Sequence, residues 1–355
     1  MDSFETFPEQ DESKRLLRAA LAEGPAHAYL FYGPRGVGKR RAAFAFAAEL
    51  LHDPDRVGRG VHPDLYVLEP LGDQIRIDPI RDLRRDLHMR PFEAERRVYL
   101  VLRAHLLNED AADALLKDLE EPPPYAVIVL VADELGLLPP TIRSRCQLVP
   151  FRRLSQRAIN AFLSSRGLEG EPLDALARVA AGRLDRAERL LDADAGERRD
   201  SLIELARSVY LDPAFNPATA SRVVTDFAQE RAGRARAEVE KEPLPSETAR
   251  ETEQRGRRAG RGAEREEVLD ALDLLTGWYR DLMVVAAGAR GAVLNSDKLA
   301  ELSADGLPER GPEAERAAAT VRDVWRSFEF NVQPGLALEA LFVRLRRELG
   351  GTLSS

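Results

Sequence analysis

Residues 33–40 read Gly-Pro-Arg-Gly-Val-Gly-Lys-Arg, and the reading of this stretch decides the fold. Glycines placed between a strand and a helix let backbone N–H groups come close to a phosphate, while the helix N-terminus and a lysine supply positive charge. Gly33, Gly36, Gly38 and Lys39 meet each of those requirements. The last position does not. Such a loop ordinarily closes on Ser or Thr, whose hydroxyl ligates the Mg²⁺ bridging the β- and γ-phosphates, and here the position holds Arg40.

The residues on either side supply the context that the loop needs. Residues 29–32 (YLFY) form a short apolar run entering the glycines, and residues 41–51 (RAAFAFAAELL) carry a helical pattern leaving them. Further short, β-branched, non-alternating runs follow at 65–68 (LYVL), 98–102 (VYLVL) and 126–132 (AVIVLVA). Between the last two, residues 109–120 (EDAADALLKDLE) predict a helix capped by Asn108 and stopped by Pro122, Pro123 and Pro124. Strands buried on both faces and separated by helices imply a parallel sheet covered on both sides. An α/β domain over 1–153 is therefore expected.

After Phe151 the strand-like runs stop. Residues 154–198 carry short helical patterns of a size that suits a small helical lid, and 199–355 read as an all-helical third domain. In that domain Val268, Leu272, Leu275, Tyr279 and Leu282 form one apolar stripe, and Leu338, Leu341, Phe342 and Leu345 another. One segment breaks the pattern. Residues 241–267 hold seven basic and seven acidic residues, two prolines, three glycines and Leu244 as the sole large apolar side chain. So little apolar area cannot offset chain entropy, and a disordered surface loop is expected at about 241–266. Its Arg-Gly-Arg-Arg-Ala-Gly-Arg core (255–261) could touch nucleic acid, but a solvated, charge-balanced loop is the favoured reading.

Composition narrows the function. A net charge of −8 argues against a surface that binds nucleic acid throughout, while leaving room for a local basic stripe. A single cysteine, Cys146, excludes an internal disulfide and any multi-cysteine zinc site, and the five histidines show no metal-ligand spacing, so no metal site is expected. No apolar run approaches a membrane span, and the acidic, polar residues 1–14 have no signal-peptide core. A cytoplasmic protein is expected.

Hydrolysis of a nucleotide needs a second element, an apolar strand ending in Asp-Glu, to hold Mg²⁺ and position water. The string Ile128-Val-Leu-Val-Ala-Asp133-Glu134 fits by composition; residues 98–103, ending in Leu102-Arg103, offer no carboxylate. Strand order has to choose between them.

Three segments carry a resemblance: residues 27–40 (HAYLFYGPRGVGKR), 106–124 (LLNEDAADALLKDLEEPPP) and 141–146 (TIRSRC). Together they resemble the bacterial clamp-loader ATPase family, the gamma/tau and delta-prime subunits of DNA polymerase III. Residues 331–349 (NVQPGLALEALFVRLRREL) look like the last collar helices of the delta-prime type. The resemblance implies an AAA+ P-loop domain, a small helical lid and a helical collar.

By the order of that family the metal-binding strand precedes the ALLKDLEEPP helix. Leu102 and Arg103 then stand where Asp-Glu would be, Ala132 where a γ-phosphate sensor would be, and Asp133-Glu134 becomes a decoy in the loop beyond. With Arg40, these are departures at four pieces of one machine, which implies no useful hydrolysis. Whether the loop of Gly33, Gly36, Gly38 and Lys39 still holds ATP or ADP stays open. Ser144-Arg145-Cys146 is intact, and the resemblance makes Arg145 an arginine finger acting in trans on a neighbour's γ-phosphate; an arginine satisfied within its own domain is the alternative. Asp185 or Arg186 falls at the second-sensor position. The family's zinc-binding cysteines are missing, with only residues 52–64 (HDPDRVGRGVHPD) in their place, so no zinc is expected.

The implied partners are the gamma/tau and delta subunits, the sliding clamp indirectly, and primer–template DNA within the assembly, with no membrane. A delta-prime-like, non-hydrolysing component of the polymerase holoenzyme is the leading expectation. An active gamma/tau-type ATPase using Asp133-Glu134 is the first rival, and a purely structural adaptor the second.

Overall fold

The four strand-like runs pair in parallel with a fifth. The structure, a computed structural model, describes residues 3–70, 74–133, 135–241, 248–328 and 332–350. Strands β1 (Ala28–Tyr32), β2 (Leu65–Leu68), β3 (Arg97–Val101), β4 (Ala126–Ala132) and β5 (Gln147–Pro150) lie in the order β2-β3-β4-β1-β5. All neighbours are parallel, with Tyr32 opposite Ala132 and Val101 opposite Leu130. The chain therefore leaves β1, β3 and β4 along one edge of the sheet, where ligands bind in open parallel sheets.

Alternate side chains of each strand feed opposite faces. On one face Tyr29, Phe31, Val98 and Leu100 pack with Phe46 and Leu50 of the helix Lys39–Leu51. On the other, Leu30, Tyr99 and Ile128 pack with Leu83 of the helix Ile77–Leu87 and Leu115 of the helix Glu109–Glu120. The latter helix starts as expected, with Asn108 Oδ1 accepting from the Ala111 N–H at 3.0 Å. Burial on both faces explains the unalternating runs.

The molecule divides into two compact units. The first holds the sheet, continues to residue 166 and includes residues 180–188; the second holds residues 167–179 and the chain from 189 onward. The segment expected as a lid, 154–198, is thus shared between them.

The second unit is helical, with long elements at Ala195–Leu211, Pro217–Lys241, Ala249–Ala286, Gly311–Ser327 and Pro334–Leu349. Both expected stripes are buried: Val268, Leu272, Leu275, Tyr279 and Leu282 in one helix, Leu338, Leu341, Phe342 and Leu345 in another. Residue 331, the first of the expected collar segment, lies outside the described residues.

The expected disordered loop is a correction. Residues 242–247 lie outside the described residues, but 249–266 are helical, the first half of Ala249–Ala286. This helix runs back along Pro217–Lys241. A Cβ at Gly260 would stand 3.2 Å from the Ala232 carbonyl oxygen, and one at Gly256 would stand 3.1 Å from Glu240 Oε1. Close approach of the two backbones replaces the large apolar side chains whose scarcity suggested disorder. The helix start is also well made, with the Thr248 hydroxyl accepting from the Glu251 N–H and the Glu251 carboxylate accepting from the Thr248 N–H.

Candidate functional site

The chain leaves β1 into the glycines and enters the helix Lys39–Leu51 directly after Gly38. Two glycines are needed for space as well as for conformation. At Gly33 (φ 141°) a Cβ would fall 2.1 Å from the Phe151 carbonyl oxygen, and at Gly36 (φ 77°) it would collide with the Asp185 carboxylate. Gln10 fixes the loop from beneath, donating to the carbonyls of Val37 at 3.4 Å and Arg152 at 2.6 Å.

Lys39, expected from the sequence to meet a phosphate, is 4% exposed. Its Nζ donates to the carbonyls of Gly33 at 2.7 Å and Pro34 at 2.6 Å, and stands 3.1 Å from Asp133 Oδ1. Burial pulls the Lys39 ammonium down, against the pull of Asp133. At Asp133 burial pushes the carboxyl up, but the charges of Lys39 and His105 hold it below the usual carboxylate range. His105 also accepts from the Asp133 N–H at 3.2 Å. Every donor of the lysine is therefore directed at an oxygen of its own unit.

Asp185 closes the loop from the opposite side. Its carboxylate lies against Gly36 and accepts two hydrogen bonds from Arg183 (3.1 and 2.9 Å) and one from the Arg186 N–H (2.8 Å). Arg35 of the loop stands 3.8 Å from it, and the Leu184 N–H donates to the Gly36 carbonyl at 2.6 Å. Of the two second-sensor candidates, it is the Asp185 side chain that meets the loop.

The magnesium-side positions are placed as follows. Arg40 turns to the carboxylate just past β2, with Nη1 2.5 Å from Glu69 Oε2, and its guanidinium lies over the Phe44 ring. Past β3, Leu102 is buried in the core and Arg103 turns the chain in a left-handed conformation (φ 54°, ψ 43°). Past β4, Ala132 is buried and Asp133 reaches Lys39. Glu134 lies outside the described residues. Sequence reasoning set Asp133 aside as a decoy and missed this contact, because composition cannot show which strand ends face each other.

Arg145 follows the short helix Pro140–Arg143 with its side chain about a third exposed. Its Nε donates to Glu120 Oε1 at 2.8 Å, and Nη1 donates to the Thr141 carbonyl at 2.7 Å. Glu120 ends the helix Glu109–Glu120, so the two motifs singled out in the sequence, LEEPPP and SRC, meet here. Cys146 is partly buried, and burial pushes its thiol up to about 12, as for an inert packing residue.

Residues 52–64 end on a carboxylate that ties loops together. Asp64 is fully buried and accepts from the N–H groups of Phe92 (2.6 Å), Glu93 and Ala94 (2.9 Å each). Burial pushes the Asp64 carboxyl up, but those three donors bring it below the usual range. Among the described residues, no group of His, Cys, Asp and Glu could hold a metal ion, and no helix is long and apolar enough to cross a membrane.

A five-stranded parallel sheet, a glycine loop opening a helix at its edge and a separate helical unit define a P-loop α/β protein with a helical C-terminal part. Residues 9–155 match the family described as DNA polymerase III, delta subunit. The chain is 38% identical over 199 residues to the delta-prime subunit of DNA polymerase III from Pseudomonas aeruginosa, covering 50% of this chain and 60% of that protein. It is 34% identical to the tau subunit of Bacillus subtilis (51% of this chain, 35% of that protein) and 29% identical to the delta-prime subunit of the same organism (54% and 62%). The aligned part spans about three fifths of the delta-prime relatives and a third of tau. In this part the chain is similar to subunits of DNA polymerase III that carry both the delta-prime and the tau names.

Proposed function

We propose that this chain serves as a delta-prime-like, non-hydrolysing subunit of a DNA polymerase III clamp loader, lending Arg145 to the ATP site of a neighbouring subunit. The observation that carries the reading is the end of β3, where Leu102 and Arg103 stand without a carboxylate. Lys39 turned onto Asp133, and Arg40 turned onto Glu69, support it further. Phosphoryl transfer depends on metal and water positioning, and these side chains offer neither. ATP or ADP, held without hydrolysis, is the ligand this loop would take once Lys39 exchanges Asp133 for phosphate.

In this reading the partners are gamma/tau and delta subunits, the clamp is reached through them, and primer–template DNA passes through the assembly. The work is cytoplasmic. Residues 154–198 act as the lid and 199–355 as the collar.

The test uses the chain alone and in a reconstituted loader. Alone, with Mg-ATP and primed DNA, it should show no turnover; in the assembly, Arg145→Ala should depress the partner's ATPase rate while leaving assembly intact. An unchanged rate would point to a structural adaptor instead. One observation favours a second reading, an active gamma/tau-type ATPase: Asp133 places a carboxylate 3.1 Å from the loop lysine. Turnover by the chain alone that both Lys39→Ala and Asp133→Asn abolish would establish it.

A further inference from the structure

The second unit carries a row of charge that the reading above does not use. In the helix Ala249–Ala286, Thr252, Gly256 and Gly260 are buried toward Pro217–Lys241, and Arg250, Gln254, Arg257, Arg258 and Arg261 are exposed. At about 100° per residue, those four arginines fall within roughly 100° of arc, whose centre lies about 130° around the helix from Gly256 and Gly260. Of the nearby carboxylates, Glu251 caps Thr248 and Glu253 takes Arg257 at 2.7 Å, while Glu264 stands at the edge of the row one turn past Arg261.

Three arginines of the facing helix are neutralised. Arg231 pairs with Glu267 at 2.7 Å, Arg234 with Asp194 at 3.3 Å and Arg236 with Glu240 at 2.6 Å. Among the described residues, Arg250, Arg258 and Arg261 have no hydrogen bond or ion pair. In a chain of net charge −8, three unpaired guanidiniums on one straight face form a local field of the opposite sign.

We infer that this arginine face docks onto the phosphodiester backbone of duplex DNA. From Arg250 to Arg261 the helix rises about 16 Å, and duplex DNA presents a negative charge about every 1.7 Å along its axis. A rigid row thus meets a rigid polyanion along several phosphates. The contact is independent of sequence, because guanidiniums that reach only phosphates position a protein and read no bases. The inference stands apart from the role of Arg145, which lies in the other unit, and survives if that role fails.

The experiment measures anisotropy of a fluorescein-labelled duplex of about 30 base pairs, long enough to offer the whole row its phosphates, titrated with the full chain from low to moderate salt. The double variant R258E/R261E should bind on the order of tenfold more weakly, with a salt slope about two units shallower. R258K/R261K should stay within about threefold of wild type, since a phosphate accepts a point charge where a bidentate carboxylate site would not. Circular dichroism checks the fold, and R258Q/R261Q, which adds no carboxylates, should show the same loss if charge is the cause. Three results would each overturn the inference: no duplex binding by wild type in low salt, variants with unchanged affinity and slope, or displacement of the duplex by polyglutamate at lower charge concentration than by unlabelled DNA. The last would make this face a surface for an acidic protein.

Discussion

Lys39 and Arg145 are both cations of phosphate chemistry by their place in the sequence, and the structure treats them in opposite ways. Lys39 is buried and spends its three donors on Gly33, Pro34 and Asp133. Arg145 sits a third exposed, held by the half-exposed Glu120 and the Thr141 carbonyl. Detaching the lysine leaves a carboxylate without its counter-charge in a closed site, whereas detaching the arginine breaks an exposed ion pair of the kind worth about 0–1 kcal/mol. A cation that is cheap to release is suited to a partner. One that is costly to release is suited to holding its own loop shut.

The largest effect that could break this contrast is kinetic. Arg145→Ala in a reconstituted loader should lower the partner's ATP hydrolysis by about 10³-fold or more, measured as steady-state phosphate release with primed DNA. A change below about threefold, far short of what an arginine finger supplies, would return Arg145 to an intramolecular role. The next effect is on stability. Lys39→Met should destabilise the sheet-containing unit by about 2 kcal/mol, less than a fully buried pair because Asp133 is partly exposed, whereas Arg145→Ala should shift the urea midpoint barely at all.

The third prediction concerns acid. The native Asp133 carboxyl titrates below its unfolded value, so its contribution is complete above the ordinary carboxylate range near 4 and is lost as pH falls through the lower native value. Wild type should therefore lose stability more steeply than Asp133→Asn below about pH 4. Urea midpoints along a pH series check this, and parallel curves would show that the Lys39–Asp133 contact contributes nothing. The smallest expected effect is that of Glu120→Gln, at most about 0.5 kcal/mol in stability, with partner turnover equal to or above wild type. A fall in turnover would show that Glu120 aims the arginine.

Much of the first unit could be read from the chain. Residues 126–132, unbroken by polar residues, could only be a strand buried on both faces, and Asn108 marked the start of the helix Glu109–Glu120. The short β5 was not read, because its four residues follow a turn and end on Pro150, with two of them exposed. At the site, the spacing of Gly33, Gly36, Gly38 and Lys39 located the loop. Nothing local could show that Asp133 and Asp185 would converge on it, since those contacts join residues about 94 and 149 positions apart from their partners only once the sheet and the turn after residue 180 are in place. In the second unit, counting large apolar side chains failed at 249–266. Thr248-x-x-Glu251 was a legible helix start, and the glycines at 256 and 260 were the signal of a close helix pair rather than of disorder.

Those two glycines place an unusual kind of constraint on the protein. Where the helices Pro217–Lys241 and Ala249–Ala286 touch, the room for a side chain is already filled by the opposite backbone at Ala232 and by the stems of Arg236 and Glu240. A saturation library across this hairpin should then tolerate exchange among its exposed charged residues far better than large side chains at position 260. What the packing demands at that spot is the lack of a single methyl group.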